Sequence, residues 1–364
     1  MFAKLTRVVL IPSAVFLSVL FGGAFGSGRE VVEFMSQHGP VGGFISIAVI
    51  AAVYSTCLFL SFELARLYGT HEYRGFYKLL LGRGWFVYEV VISLTVIAAL
   101  AICASSSGAV LNSHFGIPTL VGGVLLLLLA VGLNYGGREI VERSMIYSVL
   151  ALAAILIALL AIVLSSQGDV IVSSFENKSS ISGAIRDGLK YSITNTGFIP
   201  LLLFCGSQLK SRGEALTAGI CAGVAGIAPA ISFHLTFLAD YPNVLNETLP
   251  TYFMMEALTP RLFLDIYVLV LFVMIAQTGV GVLRGAIERI DRWRVERTGS
   301  PMGKRGQAAI ACIVLVASTA LASIGLVDLI AQAYKYLSVI FALIFVLPLI
   351  LIGIPQIVRA SRRA

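Results

Sequence analysis

The feature that most constrains this chain is the number and length of its apolar runs. They fall at about 8–37, 41–67, 84–112, 117–134, 140–166, 183–209, 213–239, 261–288, 307–324 and 327–358. A helix needs roughly 20 apolar residues to cross the hydrocarbon layer of a bilayer, so each run is a candidate span. The runs are longer than strands and lack period-2 alternation. That pattern predicts an all-α membrane bundle of about ten transmembrane helices and excludes an outer-membrane barrel. With 58% hydrophobic and 12% charged residues in 364, and a mean hydropathy of +0.94, the chain lies outside the range of soluble domains. Ten spans use most of the length, which predicts one integral membrane unit over 1–364 with no separate soluble domain.

The formal net charge of +7 does not point to nucleic acid, because the basic residues collect in alternate loops. One side receives Lys4 and Arg7, then Arg66, Arg74, Lys78 and Arg83, then Arg138 and Arg143, then Lys210 and Arg212. It also takes the cluster from Arg284 to Arg305 and the C-terminal arginines. The opposite side has only Lys178, Arg186, Lys190 and Arg261, and it holds Asp240, Glu247 and Glu256. Cytoplasmic loops retain positive charge, so both termini are expected in the cytoplasm of a bacterial cell, with the chain in its inner membrane. Lys4 and Arg7 before an apolar run ending near Ala24 also have the form of a signal peptide, but ten helices with both ends on one side fit better. Cys57, Cys103, Cys205, Cys221 and Cys312 all lie in apolar stretches and read as small hydrophobes. The four histidines show no metal-ligand spacing.

The first run contains Gly22-Gly23-Ala24-Phe25-Gly26-Ser27-Gly28-Arg29-Glu30, four glycines and two charges deep in apolar sequence. Non-helical backbone at bilayer depth is tolerated only where freed N–H and C=O groups line a cavity or bind a ligand. A break here creates two half-helix ends. The N-terminus of the second, near Gly28, would face an anionic group, and carbonyls from Gly22 to Phe25 would face a cation. A close-packing seam of small residues is the simpler alternative, and Arg29 and Glu30 fit it poorly. A second interruption, Thr194-Asn195-Thr196-Gly197-Phe198-Ile199-Pro200, lies in the sixth run, where the alternative is a plain proline kink. The breaks are five helices apart. Two five-helix repeats of opposite topology, over about 8–166 and 183–358, would bring them together at a midplane site.

The 22–30 stretch resembles the GAGFASGQE-type signature of the YkvI family of bacterial membrane transporters. The similarity extends to the polar break near Asn195, the Lys210-Ser211-Arg212 turn and the Ile287-Glu288-Arg289 helix end. The resemblance implies membership of the amino acid, polyamine and organocation superfamily and a LeuT-type five-plus-five inverted repeat with discontinuous helices 1 and 6. This chain departs from the signature at Gly23, Ala24, Gly26 and Arg29, the last putting a charge where the family has a neutral glutamine. In that architecture a sodium site is built from carbonyls of the first break and hydroxyls of helix eight. Here those would be Gly22 and Phe25 with Thr278, the one hydroxyl in Ala276-Gln277-Thr278-Gly279. A proton is the rival coupling ion.

The expected substrate-binding residues are therefore Gly22, Gly23, Ala24, Gly26, Ser27, Gly28, Glu30, Asn195, Thr196 and Gly197, joined by Ser106 from the Ser105-Ser106-Ser107 run. Phe25, Thr278 and Lys335 are the expected ion-coupling residues. Lys335 lies about eight residues into the tenth span, roughly 12 Å deep at helical rise, where an ammonium needs a partner such as Glu30. A snorkelling lysine is the alternative. Two long outer loops, about 167–182 and 240–260, follow the fifth and seventh helices, and the second has the amphipathic pattern of a lid or an interfacial loop. The reading is a secondary active transporter of a small polar solute, an amino acid or related zwitterion, with a non-transporting membrane sensor or assembly factor as the alternative. Neither a GxSxG elbow nor an HExxH pair is present, so an enzyme is not expected. The sequence leaves the solute, the coupling ion and the oligomeric state open.

Overall fold

A computed structural model describes residues 2–20, 23–136 and 138–362, and the side chains of these except at 2, 3, 23, 24, 135, 136, 138–146 and 361. Helix α1 (Phe2–Leu5) runs through a π-helical turn, Thr6–Leu10, into α2 (Ile11–Leu20). The short α3 (Gly23–Gly26) and α4 (Arg29–Phe34) flank the predicted first break. There follow α5 (Pro40–Tyr68), α6 (Tyr73–Leu81), α7 (Phe86–Phe115), α8 (Thr119–Gly136) and α9 (Arg138–Ser174). The second break separates α10 (Ile181–Thr196) from a 3₁₀ helix, Ile199–Gly206. Then come α11 (Arg212–Phe237), α12 (Pro250–Leu258), α13 (Arg261–Thr298), α14 (Lys304–Ala322), α15 (Leu326–Phe341) and, after two π-helical turns, α16 (Ile354–Ser361). Among the described residues there is no strand.

Seven helical stretches among the described residues are long and apolar enough to cross a membrane, and Thr6–Leu20 and Thr119–Asn134 are shorter apolar helices. Large apolar side chains such as Leu120, Ile157, Leu269 and Leu351 stand on the outside of the bundle. That distribution suits a lipid surround, where an apolar outer face is not a liability.

Helices α5 and α11 cross closely because small residues let the backbones approach. A Cβ on Gly219 would lie 2.6 Å from the Phe59 nitrogen, and one on Gly223 would lie 2.5 Å from the Ser55 nitrogen. This crossing holds α2 as well, since Gly226 packs against the ring of Phe16.

Two sequence boundaries move. The loop expected over 167–182 is mostly helix: α9 continues to Ser174 with a kink at Gln167 (φ −127°, ψ 19°). The hydroxyls of Ser165 and Ser166 donate to Ile162 O, so these polar residues are satisfied within the helix. The eighth run, expected to end near 288, continues as helix to Thr298.

Candidate functional site

The first break forms where the sequence predicts it. Gly28 takes φ +82°, a left-handed conformation that glycine adopts without strain, and α4 starts from it. Two of the amides at this point are already in use. Gly28 N–H donates to Phe25 O (3.0 Å), and Arg29 N–H donates to Ser27 Oγ (3.3 Å). The expected anion cradle at the start of α4 is thus partly closed by the protein itself.

The 238–258 segment docks over the break. Thr251 N–H donates to Ser27 O (3.2 Å), and a Cβ on Gly28 would lie 2.5 Å from both Thr251 Oγ1 and Phe237 Cζ. Arg29, buried, donates through Nη1 to the carbonyls of Leu245 and Glu247 (3.0 Å each) and through Nη2 to Glu33 (2.8 Å). Its charge therefore clamps the docked segment and does not enter the cavity beneath. Gly26 O accepts the Tyr267 hydroxyl (3.1 Å), which ties the break to α13.

Beneath this seal lies a cavity of about 120 Å³. It is walled by Leu20, Phe25 and Glu30, by Thr95, Ala99, Ile102 and Cys103 of α7, by Thr194, Asn195 and Phe198 at the second break, by Thr278 of α13, and by Tyr334 and Leu337 of α15. Among the described residues Glu30 is the one charged side chain that lines it. The Glu30 carboxylate is buried and accepts two phenol hydroxyls, from Tyr334 to Oε1 (3.0 Å) and from Tyr191 to Oε2 (3.2 Å). The two phenol rings stack at 5.5 Å with an interplanar angle of 2°, and Phe34 packs against both at 5.3 and 4.7 Å. No basic side chain among the described residues pairs with Glu30. A buried carboxylate held this way lacks a countercharge, and a cation entering the cavity would supply it.

The predicted residues do not all meet at one place. Phe25, Glu30, Asn195 and Thr278 line the cavity together. Asn195 Nδ2 is turned back to Tyr191 O (3.1 Å), and Thr278 donates to Met274 O (2.9 Å), which leaves its oxygen lone pairs free to accept. Gly26, Ser27 and Gly28 shape the break and its seal. Thr196 and Gly197 shape the second break: Thr196 donates to Ile193 O, and Gly197 O accepts the Tyr88 hydroxyl while its Cα packs on the Phe341 ring.

Ser106 and Lys335 lie away from the cavity. Ser106 is fully buried in α7 but does not line it. Lys335 is corrected outright: it is exposed, with its ammonium 5.7 Å from the ring of Tyr336, because the adjacent Tyr334 occupies the inward face of α15. Gly22 lies outside the described residues, and of Gly23 and Ala24 only the helical backbone is described. Of the residues expected at a sodium site, Phe25 and Thr278 line one cavity. Phe25 O receives Gly28 N–H. Tyr191, Tyr334 and Thr95 are site residues that sequence reasoning missed.

The architecture, with helices broken at two places around a central cavity, is that of the LeuT-fold transporters. It is similar to MhsT in complex with L-phenylalanine, at TM-score 0.62 and 15% identity over 98% of this chain and 97% of that one. It is also similar to the Eremococcus coleocola manganese transporter in complex with an aromatic bis-isothiourea compound (TM-score 0.55, 13% identity, 95% of this chain, 78% of that one). A third similar structure is a Na⁺-coupled sialic acid symporter in its substrate-bound outward-open state (TM-score 0.51, 14% identity, 96% and 86%). At these identities the likeness is one of fold. The sequence matches no family model and no curated relative.

Proposed function

We propose that this chain is a secondary active transporter whose central cavity takes a small solute bearing a positively charged amine, anchored on Glu30. The observation that carries the reading is the isolation of that carboxylate. It is the one charged group among the described lining residues, and it is oriented by two phenols and left without a protein cation. A solute carboxylate would meet no basic side chain there, and the Gly28 and Arg29 amides are occupied. The recognised element is therefore the ammonium, of an amino acid or of a simpler amine, in a cavity that Tyr334 and Phe25 also line.

Transport would proceed by alternating access, as the architecture allows. In this reading α2 through α9 and α10 through α16 form two inverted five-helix repeats with ten crossings, and both termini are cytoplasmic; seven long apolar helical stretches, two shorter ones and the distribution of Lys and Arg support it. The resemblance to the YkvI family and the fold shared with MhsT, which binds L-phenylalanine, with a sialic acid symporter and with a manganese transporter support this reading. Two coupling ions fit the site. A sodium ion would use Phe25 O and Thr278 Oγ1, and a proton would use Glu30.

The test is uptake into proteoliposomes under an imposed sodium or proton gradient, after thermal stabilisation of the purified protein has ranked a panel of amines, amino acids and their N-acetylated forms. A ligand of the native state raises the midpoint by mass action. Stabilisation by amines and loss of it on N-acetylation is the expected pattern, with one gradient driving accumulation. If N-acetylated forms stabilise as well as free amines, the anchor is wrong. Stabilisation without uptake under either gradient would leave a sensor.

A further inference from the structure

We propose that a second site, a groove between α7 and α13 at the bundle end opposite the 238–258 segment, binds the headgroup of an anionic phospholipid. The groove has a volume of about 490 Å³ and shares no lining residue with the central cavity. Both tryptophans of the chain, Trp85 and Trp293, line it. Tryptophan concentrates where a membrane meets water, so the pair marks the headgroup level.

The charge in the groove is unbalanced. Arg74 and Arg289 line it, the Lys78 ammonium sits 5.3 Å from the Trp85 ring, and the Arg297 guanidinium sits 4.4 Å from the Trp293 ring. Two carboxylates face these four cations, and both are committed to Arg74. Glu89 accepts Arg74 Nε (3.1 Å) and the Tyr73 hydroxyl (2.9 Å), and Glu296 pairs with Arg74 Nη1. Arg289 donates Nε to Gly285 O (3.1 Å), but its Nη1 is buried and has no hydrogen-bond partner. A buried guanidinium N–H without an acceptor is costly, and a phosphate oxygen is the acceptor its planar fork fits best.

The remaining wall selects a lipid over a soluble phosphate. From the arginines the groove continues along Val90, Leu94 and Ile97 of α7, and Val90 and Leu94 are 57% and 58% exposed on the outer surface of the bundle. An acyl chain lying on this strip would cover apolar surface while its phosphate sits on Arg289. Basic pockets between transmembrane helices at the membrane surface recognise anionic headgroups in this way.

The two tryptophans supply the measurement, since all of the indole fluorescence of the chain comes from this groove. The purified protein is titrated in mixed micelles with dibrominated phosphatidylglycerol and, separately, with dibrominated phosphatidylcholine. Quenching by the anionic lipid is expected at a mole fraction lower by roughly fivefold, the preference that one basic contact gives at a membrane surface. Soluble glycerol phosphate should not relieve it, and Arg289→Gln should bring the two lipids to the same midpoint. Equal midpoints in the wild type would overturn the proposal. So would relief by glycerol phosphate, which would assign the groove to a soluble anion, or a preference that survives Arg289→Gln. If that variant fails to fold, the wild-type titrations and the competition decide alone.

Discussion

The hydroxyl of Tyr334 donates to Oε1 of Glu30 across 3.0 Å, joining the first broken segment of the chain to its last long helix. Tyr191, just before the second break, donates to the other oxygen of the same carboxylate. One buried anion thus holds together α4, α10 and α15, two of them flanking the breaks. Whatever neutralises Glu30 changes the balance of forces among these three elements, which is the coupling a transporter needs between occupancy and conformation.

Glu30→Gln is expected to keep the shape of the site and remove its charge. Binding of an amine should weaken by roughly 10- to 100-fold, the range of a charge-assisted hydrogen bond. The thermal midpoint of the ligand-free protein should hold or rise, since a buried charge without a countercharge is removed. Thermal stabilisation by the best amine, measured on both proteins side by side, checks this. Undiminished stabilisation of the Gln variant means the solute is anchored elsewhere.

Tyr334→Phe and Lys335→Ala form a pair that tests the face of α15. The phenylalanine keeps the ring stacked on Tyr191 and Phe34 but removes the donor to Glu30, so amine affinity should change by about threefold to thirtyfold. Lys335 is exposed beside Tyr336, and its loss should leave affinity and sodium response within about twofold, as for a surface substitution. Isothermal titration of both variants reads the difference. A larger effect from Lys335→Ala would reverse the assignment of the inward face.

The contrast between neighbours 334 and 335 also marks where sequence reading ran out. Glycine spacing and misplaced charge made the first break legible, and Phe25, Glu30, Asn195 and Thr278 were placed on one cavity from the break positions and the family resemblance. The direction of Lys335 was legible and was missed. One residue rotates the face by about 100°, and Asp328, Gln332 and Lys335, four and then three residues apart on α15, share one exposed face, while Ile330, Tyr334 and Phe341 lie buried on the opposite one. Tyr191 and Tyr334 read as ordinary core aromatics because their shared partner lies 161 and 304 residues away. The 240–260 stretch was read equally as lid or surface loop, since its docking depends on Ser27 O and the Arg29 guanidinium, contacts that only the folded chain brings together.

Gly28→Ala measured against Gly69→Ala isolates the docking of that segment. Both glycines are left-handed, with φ +82° and +65°, so both variants bear the backbone penalty of about 1–2 kcal/mol. A Cβ at Gly69 meets nothing within 4 Å, whereas at Gly28 it would strike Phe237 and Thr251. Gly28→Ala should therefore lower the midpoint further than Gly69→Ala and reduce uptake, while Gly69→Ala leaves uptake near normal. Equal losses in both would mean that the segment yields without consequence and is no part of the seal.

Arg29→Gln should loosen the same seal from its other side, and Cys103 reports it. This cysteine lines the central cavity and is 3% exposed, so a thiol reagent reaches it only when a path to the cavity opens. In a background where the other four cysteines are replaced, the variant loses the guanidinium that bonds the Leu245 and Glu247 carbonyls and Glu33. Bonds to a charged group are worth about 1.5–3 kcal/mol, enough to raise the open fraction by roughly 10- to 100-fold. The labelling rate of Cys103 should rise in proportion for a membrane-impermeant reagent applied to the face bearing the 238–258 segment. It should fall again when a saturating amine occupies the cavity. An unchanged rate would show that Arg29 does not hold this side closed, and the neutral glutamine of the YkvI signature would then serve equally well at this position.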